Sequence, residues 1–233
     1  MPPKASEMTK EQLAAYIDYS ILKPEFTTSE IIALAKDGAA LKCATLCVNP
    51  ACIELCQPYV LGTATSICPV CDFPFGANST ASRLAQIEEA AKYDSVKEID
   101  IVANFGLLRS GDLAAVTEDL RQVAAACAKR GKAIKVILET DALATAEIIN
   151  GCRCCLEAKV DFVKTSTGFL TGHEQIGGAL EVIKLMMGEI RGRAKIKASG
   201  CIRTREHFLA LIDLGVDRCG VGYKSVKTVL GDE

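Results

Sequence analysis

The sequence contains no tryptophan, few aromatic residues and no strong excess of either charge. Aromatic residues make up 5% of the chain, which argues against a surface that stacks the bases of single-stranded nucleic acid. The formal net charge is −2, so the protein has no basic field that would attract nucleic acid or an anionic membrane. We therefore expect no nucleic acid and no membrane among its partners.

Long apolar runs are also missing. No run approaches the roughly 18 to 20 apolar residues of a membrane-spanning helix, and the polar N-terminus MPPKASEMTKEQ has no apolar signal core. These absences predict a cytoplasmic protein. The chain has 233 residues, of which 49% are hydrophobic and 24% are charged, and this composition predicts one soluble globular domain over residues 1–233.

Cysteine, in contrast, is abundant, with twelve residues. A chain of this length without a signal peptide does not fit a secreted disulfide scaffold, so we interpret the cysteines as reduced, small apolar side chains. A cysteine-based metal or redox protein is the alternative, because CPVC (68–71) has C-x-x-C spacing. However, CPVC lies in a predicted strand, whose alternate residues face opposite sides. We therefore expect the two cysteines to diverge, which disfavours the cysteine-based metal or redox protein.

Short apolar runs alternate with helical patterns along the chain, and uninterrupted apolar runs are typical of buried parallel strands. About eight such βα units predict an α/β fold, a single (β/α)8 TIM barrel, with a doubly wound open sheet as the alternative. No G-x-G-x-x-G follows the first run and no Walker A motif occurs, which disfavours nucleotide-binding open sheets. The predicted strands are 16–20, 44–48, 65–73, 98–103, 134–140, 161–166, 195–199 and 217–222.

Helix-capping signals support the segments between these runs. Thr27 and Glu30 have the spacing of a capping box. Thr204 is placed to cap REHFLALIDLG, a segment that Gly215 would end. Within 113–127, apolar residues repeat at helical spacing and predict one buried face.

Polar side chains collect where the predicted strands end, the edge of a parallel barrel that carries functional residues. Lysine is a nucleophile only when neutral, and its reference pKa near 10.4 leaves little neutral amine at pH 7. Apolar surroundings and a neighbouring cation both lower that pKa, which favours a Schiff-base lysine; a structural ion-pair network is the alternative. The strand-end residues include Asp18, Ser20, Cys47, Asp100, Asn104, Glu139, Lys164 and Lys197.

Two motifs, FVKTSTG and KASGCIRT, resemble those of the deoxyribose-phosphate aldolases, which are class I (Schiff-base) aldolases of barrel fold. EIDIVANFGLLRSGD, CVNP and FPFGANST extend the resemblance over nearly the whole chain. The resemblance implies that Lys164 forms the Schiff base, that Lys197 depresses the pKa of Lys164, and that Asp100 is the acid/base group. It also places Cys47 in the lining of the active site, and Asp18 and Ser20 near the polar network of the first strand.

The same resemblance implies an activity, the reversible cleavage of 2-deoxy-D-ribose 5-phosphate to D-glyceraldehyde 3-phosphate and acetaldehyde. The implied partner is therefore a small sugar phosphate, with no metal or organic cofactor, and a homodimer is the assembly common in the family. The alternatives are another Schiff-base barrel aldolase acting on a related sugar or sugar phosphate, and a sugar-phosphate binder that has lost activity.

The substrate phosphate is expected on backbone N–H groups in the loops that follow the last strands. Three departures from the family pattern bear on this site: Cys201 where a second glycine is common, Gly222-Tyr223 where a serine pair is common, and Tyr19 where histidine is frequent. We expect Tyr223 or Lys224 to replace the lost hydroxyl donors. The candidate phosphate-binding residues are Gly168, Gly200, Cys201, Arg203, Gly220 and Gly222.

Overall fold

Eight parallel strands close into a barrel in the computed structural model, which describes residues 4–232. The strands pair in chain order, and β1 pairs with β8 to complete the ring. The predicted (β/α)8 TIM barrel is therefore confirmed, and the open sheet is wrong. The strands are β1 (Ile17–Ile21), β2 (Thr45–Val48), β3 (Ser66–Cys71), β4 (Glu98–Val102), β5 (Ala133–Ile137), β6 (Phe162–Lys164), β7 (Lys195–Ser199) and β8 (Arg218–Gly222).

One helix precedes β1, and the others follow strands and form the outer layer of the barrel. They are α1 (Lys10–Ala14), α2 (Thr28–Ala40), α3 (Ile53–Val60), α4 (Thr80–Ala90), α5 (Phe105–Ser110), α6 (Leu113–Lys129), α7 (Thr145–Glu157), α8 (Leu180–Ile190), α9 (Arg205–Leu214) and α10 (Val226–Leu230). Short 3-10 helices occur at Ala5–Glu7, Pro50–Cys52, Thr140–Ala142 and Tyr223–Ser225. No helix within residues 4–232 is both long and apolar enough to cross a membrane.

The capping predictions are confirmed. The Thr27 hydroxyl accepts a hydrogen bond from the Glu30 backbone N–H, and the Glu30 carboxylate accepts one from the Thr27 N–H at 2.7 Å. Thr204 caps α9, and Gly215 ends that helix with a left-handed backbone. The predicted apolar stripe of α6 is buried from Val116 to Cys127.

Strand side chains that face outward pack against the helices and make the main hydrophobic core. Tyr19 belongs to this layer: its hydroxyl donates to the Asp37 carboxylate at 2.9 Å, and its ring lies against Gly38 of α2. A Cβ on Gly38 would come within 2.6 Å of the Leu46 side chain, so close helix–strand packing requires glycine there. The Tyr19 departure from the family pattern therefore faces α2 and not the barrel interior.

Eleven of the twelve cysteines are buried. The two cysteines of CPVC diverge as predicted, because Cys68 lies 3.1 Å from the Asp100 carboxylate inside the barrel whereas Cys71 lies 3.7 Å from the Arg83 carbonyl oxygen on the helix side. The two sulfurs of the C-x-x-C motif therefore cannot bind the same metal ion.

Candidate active site

The barrel interior holds seven charged side chains in place of a purely apolar core. Parallel register aligns them: Asp100 pairs Cα to Cα with Lys135, and Lys164 with Lys197. Charged groups withdrawn from water are stable only when paired and hydrogen-bonded. The carboxylates are those of Asp18, Glu98 and Asp100, and the cations are Lys135, Lys164, Lys197 and Arg218.

Asp100 is the centre of this network and is fully buried. Its Oδ2 accepts hydrogen bonds from Lys164 Nζ at 2.8 Å and Lys197 Nζ at 2.6 Å, and its Oδ1 from Lys135 Nζ at 3.1 Å. Burial alone would raise the pKa of Asp100, but the three ammonium groups outweigh it and hold that pKa well below its usual range. Asp100 is therefore an ionised carboxylate at neutral pH.

Lys197 is held as a cation. Burial lowers its pKa, but the carboxylates of Asp100 and Asp18 more than offset burial and raise the pKa of Lys197 above its ordinary value. Lys197 Nζ lies 2.5 Å from Asp18 Oδ2. Its positive charge stands directly beside Lys164, as the positions on successive strands predict.

Three members of the network were not among the predicted site residues: Lys135, Glu98 and Arg218. Lys135 Nζ lies 2.5 Å from Glu98 Oε2 and 3.3 Å from Asp18 Oδ2, and it is fully buried. Arg218 donates to Asp18 at 2.6 Å and to Glu98 at 3.0 Å. Lys135 could have been noticed because it interrupts the apolar run AIKVI. Alternate residues of a strand point to the same side, so Lys135 and Ile137 share one face of β5.

A pocket of about 200 Å³ opens above Lys164 at the carboxyl ends of the strands. Its lining contains eight predicted residues: Ser20, Lys164, Gly168, Gly200, Cys201, Arg203, Gly220 and Gly222. Residues that sequence reasoning did not assign also line it: Leu22, Thr167, Phe169, Ser199, Ile202 and Ser225. The structure thus gathers the predicted phosphate-binding residues into one cavity with the candidate nucleophile.

Asp18 and Cys47 do not line this pocket. Asp18 is fully buried and binds Lys197, Arg218 and the Thr45 hydroxyl, so it supports the charged network from beneath. Cys47 is also fully buried, and its sulfur lies 4.0 Å from Asp100 Oδ2. The Asp18 carboxylate faces cations in the barrel and not the cavity, and substrate binding by Asp18 stays a prediction.

The glycine-rich side of the pocket uses left-handed backbone. Gly200 has φ of +87° and Cys201 has φ of +59°, so the cysteine occupies a conformation that glycine adopts more easily. Gly177 packs against this turn so closely that a Cβ on Gly177 would meet the Gly200 carbonyl carbon at 2.5 Å. The Cys201 sulfur lies 3.2 Å from the Gln175 carbonyl oxygen.

The other side of the pocket is apolar. The Phe169 ring meets the Phe73 ring edge to face, with centroids 5.3 Å apart. Phe73 in turn packs on a small apolar cluster of Leu22, Cys47 and Val70. The pocket therefore has one polar, glycine-lined wall and one apolar wall, which suits a short sugar with an anionic end.

Ser225 supplies a hydroxyl at the end of β8, where the prediction named Tyr223 or Lys224. Neither of those two lines the pocket: the Tyr223 ring packs edge to face on Phe26 with centroids 5.3 Å apart, and Lys224 Nζ lies 5.9 Å from the Tyr223 ring centroid. The chain enters a 3-10 helix at Tyr223–Ser225, which brings residue 225 to the cavity.

Cys47, Cys68 and Asp100 bring three potential metal-ligand atoms within 4.8 Å of one another. The electrostatics oppose a cation there, since three ammonium groups already donate to the same Asp100 carboxylate. Burial also raises the pKa of the Cys68 thiol well above its ordinary value, which disfavours a metal-binding thiolate at that sulfur.

Fold and site together define a barrel aldolase, in which a buried lysine lines a small pocket and its ammonium group donates to a buried carboxylate that a second lysine shares. No model of a known protein family matches the chain. The deoxyribose-phosphate aldolase of Clostridium botulinum (strain ATCC 19397 / Type A) is 38% identical over 209 residues, covering 90% of this chain and 95% of that protein. That of Kocuria rhizophila is 36% identical over 220 residues, covering 94% and 97%. The chain therefore belongs to the deoxyribose-phosphate aldolase family, as its motifs indicate.

Solved structures agree with this assignment. The aldolase QR15 superposes with a TM-score of 0.85 at 32% identity, covering 94% of this chain and 95% of that chain. A tetrameric deoxyribose phosphate aldolase from Aeropyrum pernix superposes with a TM-score of 0.83 at 23% identity, covering 95% and 91%. At that lower identity the likeness shows the fold alone.

Proposed function

We propose that this protein is a deoxyribose-phosphate aldolase that cleaves 2-deoxy-D-ribose 5-phosphate reversibly to D-glyceraldehyde 3-phosphate and acetaldehyde through a Schiff base on Lys164. The observation that carries the proposal is the position of Lys164, whose ammonium lies between the shared carboxylate of Asp100 and the cavity. We further propose that residues 1–233 act as one barrel domain.

Charge balance favours Lys164 as the nucleophile. Each other cation of the network has at least two carboxylate partners, whereas Lys164 pairs with Asp100 alone. Four cations face three carboxylates, so loss of one proton brings the buried interior to neutrality. Lys164 is the ammonium whose deprotonation breaks the fewest ion pairs, and it is also the one that lines the pocket.

The proposed reaction begins with attack of the neutral Lys164 amine on C1 of the open-chain sugar. Loss of water from the carbinolamine gives a protonated imine, which withdraws electrons from the C2–C3 bond. Asp100, through water and with Lys197 beside it, accepts the proton of the C3 hydroxyl as that bond breaks. The resulting enamine takes a proton at C2, and hydrolysis of the imine releases acetaldehyde and the free lysine.

We propose that the substrate phosphate lies at the glycine-rich wall. Backbone N–H groups around Gly168, Gly200 and Gly222 can donate to phosphate oxygens, and Arg203 adds the positive charge. Ser20 of β1 and Ser225 of the 3-10 helix that follows β8 contribute hydroxyls. The apolar wall then faces the carbon chain near Lys164.

Cytoplasmic location and a homodimer are also part of the proposal. The homodimer follows from the family resemblance, and the Aeropyrum pernix structure, described as a tetramer, shows that assembly in this fold extends beyond two copies. Light scattering on the purified protein measures its state directly.

Borohydride trapping with acetaldehyde tests the Schiff base. We expect one reduced ethyl adduct, which peptide mass mapping places on Lys164. Lys164→Leu should give no adduct and no cleavage while it retains the wild-type circular dichroism spectrum. Lys224→Leu is the matched control, because Lys224 is an exposed lysine near the barrel mouth that the mechanism does not use. An adduct on a different lysine would overturn the mechanism.

Substrate comparison separates the proposal from another Schiff-base barrel aldolase. We expect 2-deoxy-D-ribose 5-phosphate to be cleaved with a higher kcat/KM than unphosphorylated 2-deoxy-D-ribose, because only the former engages the glycine-rich wall and Arg203. A higher kcat/KM for a different sugar phosphate would keep the chemistry and replace the substrate.

A further inference from the structure

Glu139 stands at the end of β5 and has no part in the mechanism above. It is 1% exposed, and its backbone is left-handed, with φ of +61° and ψ of +60°. A residue with a Cβ adopts this conformation at a cost in free energy, and such outliers persist where surrounding structure requires them. A buried, ionisable side chain in a strained position beside the candidate active site therefore needs specific contacts to hold it.

The Glu139 carboxylate makes both of its hydrogen bonds to one residue of the pocket wall. Its Oε1 accepts from the Thr167 backbone N–H at 3.1 Å, and its Oε2 accepts from the Thr167 hydroxyl. The same Thr167 hydroxyl oxygen accepts from the Phe169 N–H at 3.0 Å. A chain of hydrogen bonds thus runs from Glu139 through Thr167 to Phe169.

Backbone hydrogen bonds on either side of Glu139 fix the distance between this carboxylate and the candidate nucleophile. The Leu138 N–H donates to the Lys164 carbonyl oxygen at 3.0 Å, and the Thr140 N–H donates to the Thr165 carbonyl oxygen at 3.1 Å. The residues that follow β5 therefore form hydrogen bonds to Lys164, Thr165 and Thr167.

We infer that Glu139 is a positioning residue: by holding Thr167, it sets the place of the pocket wall Thr167–Phe169 relative to Lys164 and so determines how the sugar phosphate is held. Thr167, Gly168 and Phe169 all line the cavity, whereas Glu139 itself does not. The left-handed backbone of Glu139 is what brings its carboxylate under this turn. The inference rests on the proposed function and assigns to this residue the geometry of substrate binding, not the chemistry.

Electrostatics fit this role. Burial raises the pKa of Glu139, and the two hydrogen bonds from Thr167 oppose that rise. An acceptor with two donors from a single residue fixes both position and orientation, and it leaves neither the Thr167 N–H nor its hydroxyl unpaired. A glutamine at 139 keeps the size but has only one acceptor oxygen.

The test compares Glu139→Gln, Thr167→Val and the double variant. For each single variant we expect KM for 2-deoxy-D-ribose 5-phosphate to rise about tenfold, with kcat changed by less than about threefold, since a lost buried hydrogen bond weakens binding on that scale. The double variant should be no worse than the single variants, because both remove the same contact. Thr167→Ser, which keeps the hydroxyl, should have the wild-type KM.

Three further measurements make the test specific. Borohydride trapping of acetaldehyde on Lys164 should be unchanged in Glu139→Gln, because acetaldehyde lacks the phosphate end. Lys159→Gly relieves a left-handed residue with φ of +59° away from the pocket, and it should leave KM unchanged. The rise in melting temperature caused by the sugar phosphate should be smaller in Glu139→Gln than in the wild type.

A fall in kcat at constant KM, independent effects of the two substitutions, or a lower melting temperature with wild-type kinetics would each overturn the inference. If the wild-type protein fails to cleave the sugar phosphate, the proposed function fails. The ligand-dependent melting shift still decides whether Glu139 positions the wall, since an equal shift in wild type and Glu139→Gln contradicts it.

Discussion

Lys164 and Lys197 pair Cα to Cα across β6 and β7, and their two ammonium groups donate to the same oxygen, Asp100 Oδ2, at 2.8 and 2.6 Å. Two like charges therefore share one acceptor in a buried site. This relationship gives the barrel its candidate chemistry, and it makes the consequences of single substitutions specific.

Replacing Lys197 with methionine should abolish cleavage and also destabilise the protein. The substitution leaves the buried Asp18 and Asp100 carboxylates short of one cation, and breaking a buried pair in this way costs about 3–5 kcal/mol. Thermal unfolding measures the loss of stability, and a cleavage assay measures activity. Lys195→Met is the control, since Lys195 lies on the same strand and is exposed. Retention of wild-type kcat in Lys197→Met would rule out its proposed role.

Stability should form a broad plateau against pH. The pKa values of Asp18 and Asp100 are depressed in the fold, so their contribution is complete above about pH 4 and is lost as pH falls toward the depressed values. Lys135 and Lys197 have raised pKa values, so their contribution is complete below about pH 10 and is lost as pH rises beyond it.

Melting temperatures across this pH range test the plateau. Asp18→Asn should lower the plateau and flatten its acid side, while Glu25→Gln, at an exposed position, should change neither. A sharp maximum near neutral pH would contradict this account of the charged interior.

One cysteine should react with a thiol reagent under native conditions. Cys201 is half-buried and lines the pocket, whereas the other eleven are buried, and burial raises the pKa of thiols such as Cys43 and Cys56 to about 12. Titration with a chromogenic disulfide should count one thiol before denaturation and twelve after it. Cys201→Ser should remove the native signal. Reaction of several thiols at the same rate would show that the barrel opens more readily than its packing indicates.

Labelling of Cys201 should also inhibit the enzyme, and the sugar phosphate should slow the labelling, because both occupy the glycine-rich wall. Inorganic phosphate at the same concentration provides a comparison for the phosphate group alone. Equal labelling rates with and without the sugar phosphate would place the substrate elsewhere.

Gly220 and Gly222 should differ sharply in their tolerance of alanine. A Cβ on Gly220 would meet Ser199 Oγ at 2.6 Å and Lys197 Cε at 3.3 Å, whereas a Cβ on Gly222 has no neighbour within 4 Å. We expect Gly220→Ala to cost about 1–3 kcal/mol of stability and to lower kcat by displacing Lys197. Gly222→Ala should unfold like the wild type. Similar melting temperatures for both variants would contradict the packing described around Lys197.

The barrel could be predicted from the sequence because local pattern and global fold agree. Each strand is a short apolar run, each following helix carries its own periodicity, and caps such as Thr27 and Thr204 mark where helices begin. Parallel pairing in chain order then follows from the short connections. Lys164 could be predicted because it is the last residue of β6, an otherwise apolar strand. Asp100 and Lys197 lie in the middle of β4 and β7, and they could be predicted because the motifs EIDIV and KASG single them out.

The remaining site residues depend on geometry that spacing does not encode. Lys135 and Glu98 lie in the body or at the start of their strands, and their inward direction becomes clear only with the register. Arg218 is the first residue of β8, where a charged side chain is usual, and only the structure shows that it donates to Asp18. Glu139 could be identified as an acidic residue at a strand end. Its hydrogen bonds to Thr167 could not be predicted, because they depend on a left-handed backbone that glutamate does not favour.

The ion pairs inside the barrel also constrain how such a sequence can change over time. In an oily core one methylene can be exchanged for another, and the loss is small and local. Here each carboxylate pairs with two or more cations, so a neutral substitution at Asp18 removes one ion-pair partner from Lys135, Lys197 and Arg218 at once. Substitutions that preserve the fold must therefore change several of these charges together or keep all of them. In directed evolution of this protein, the residues to vary are those of the pocket walls.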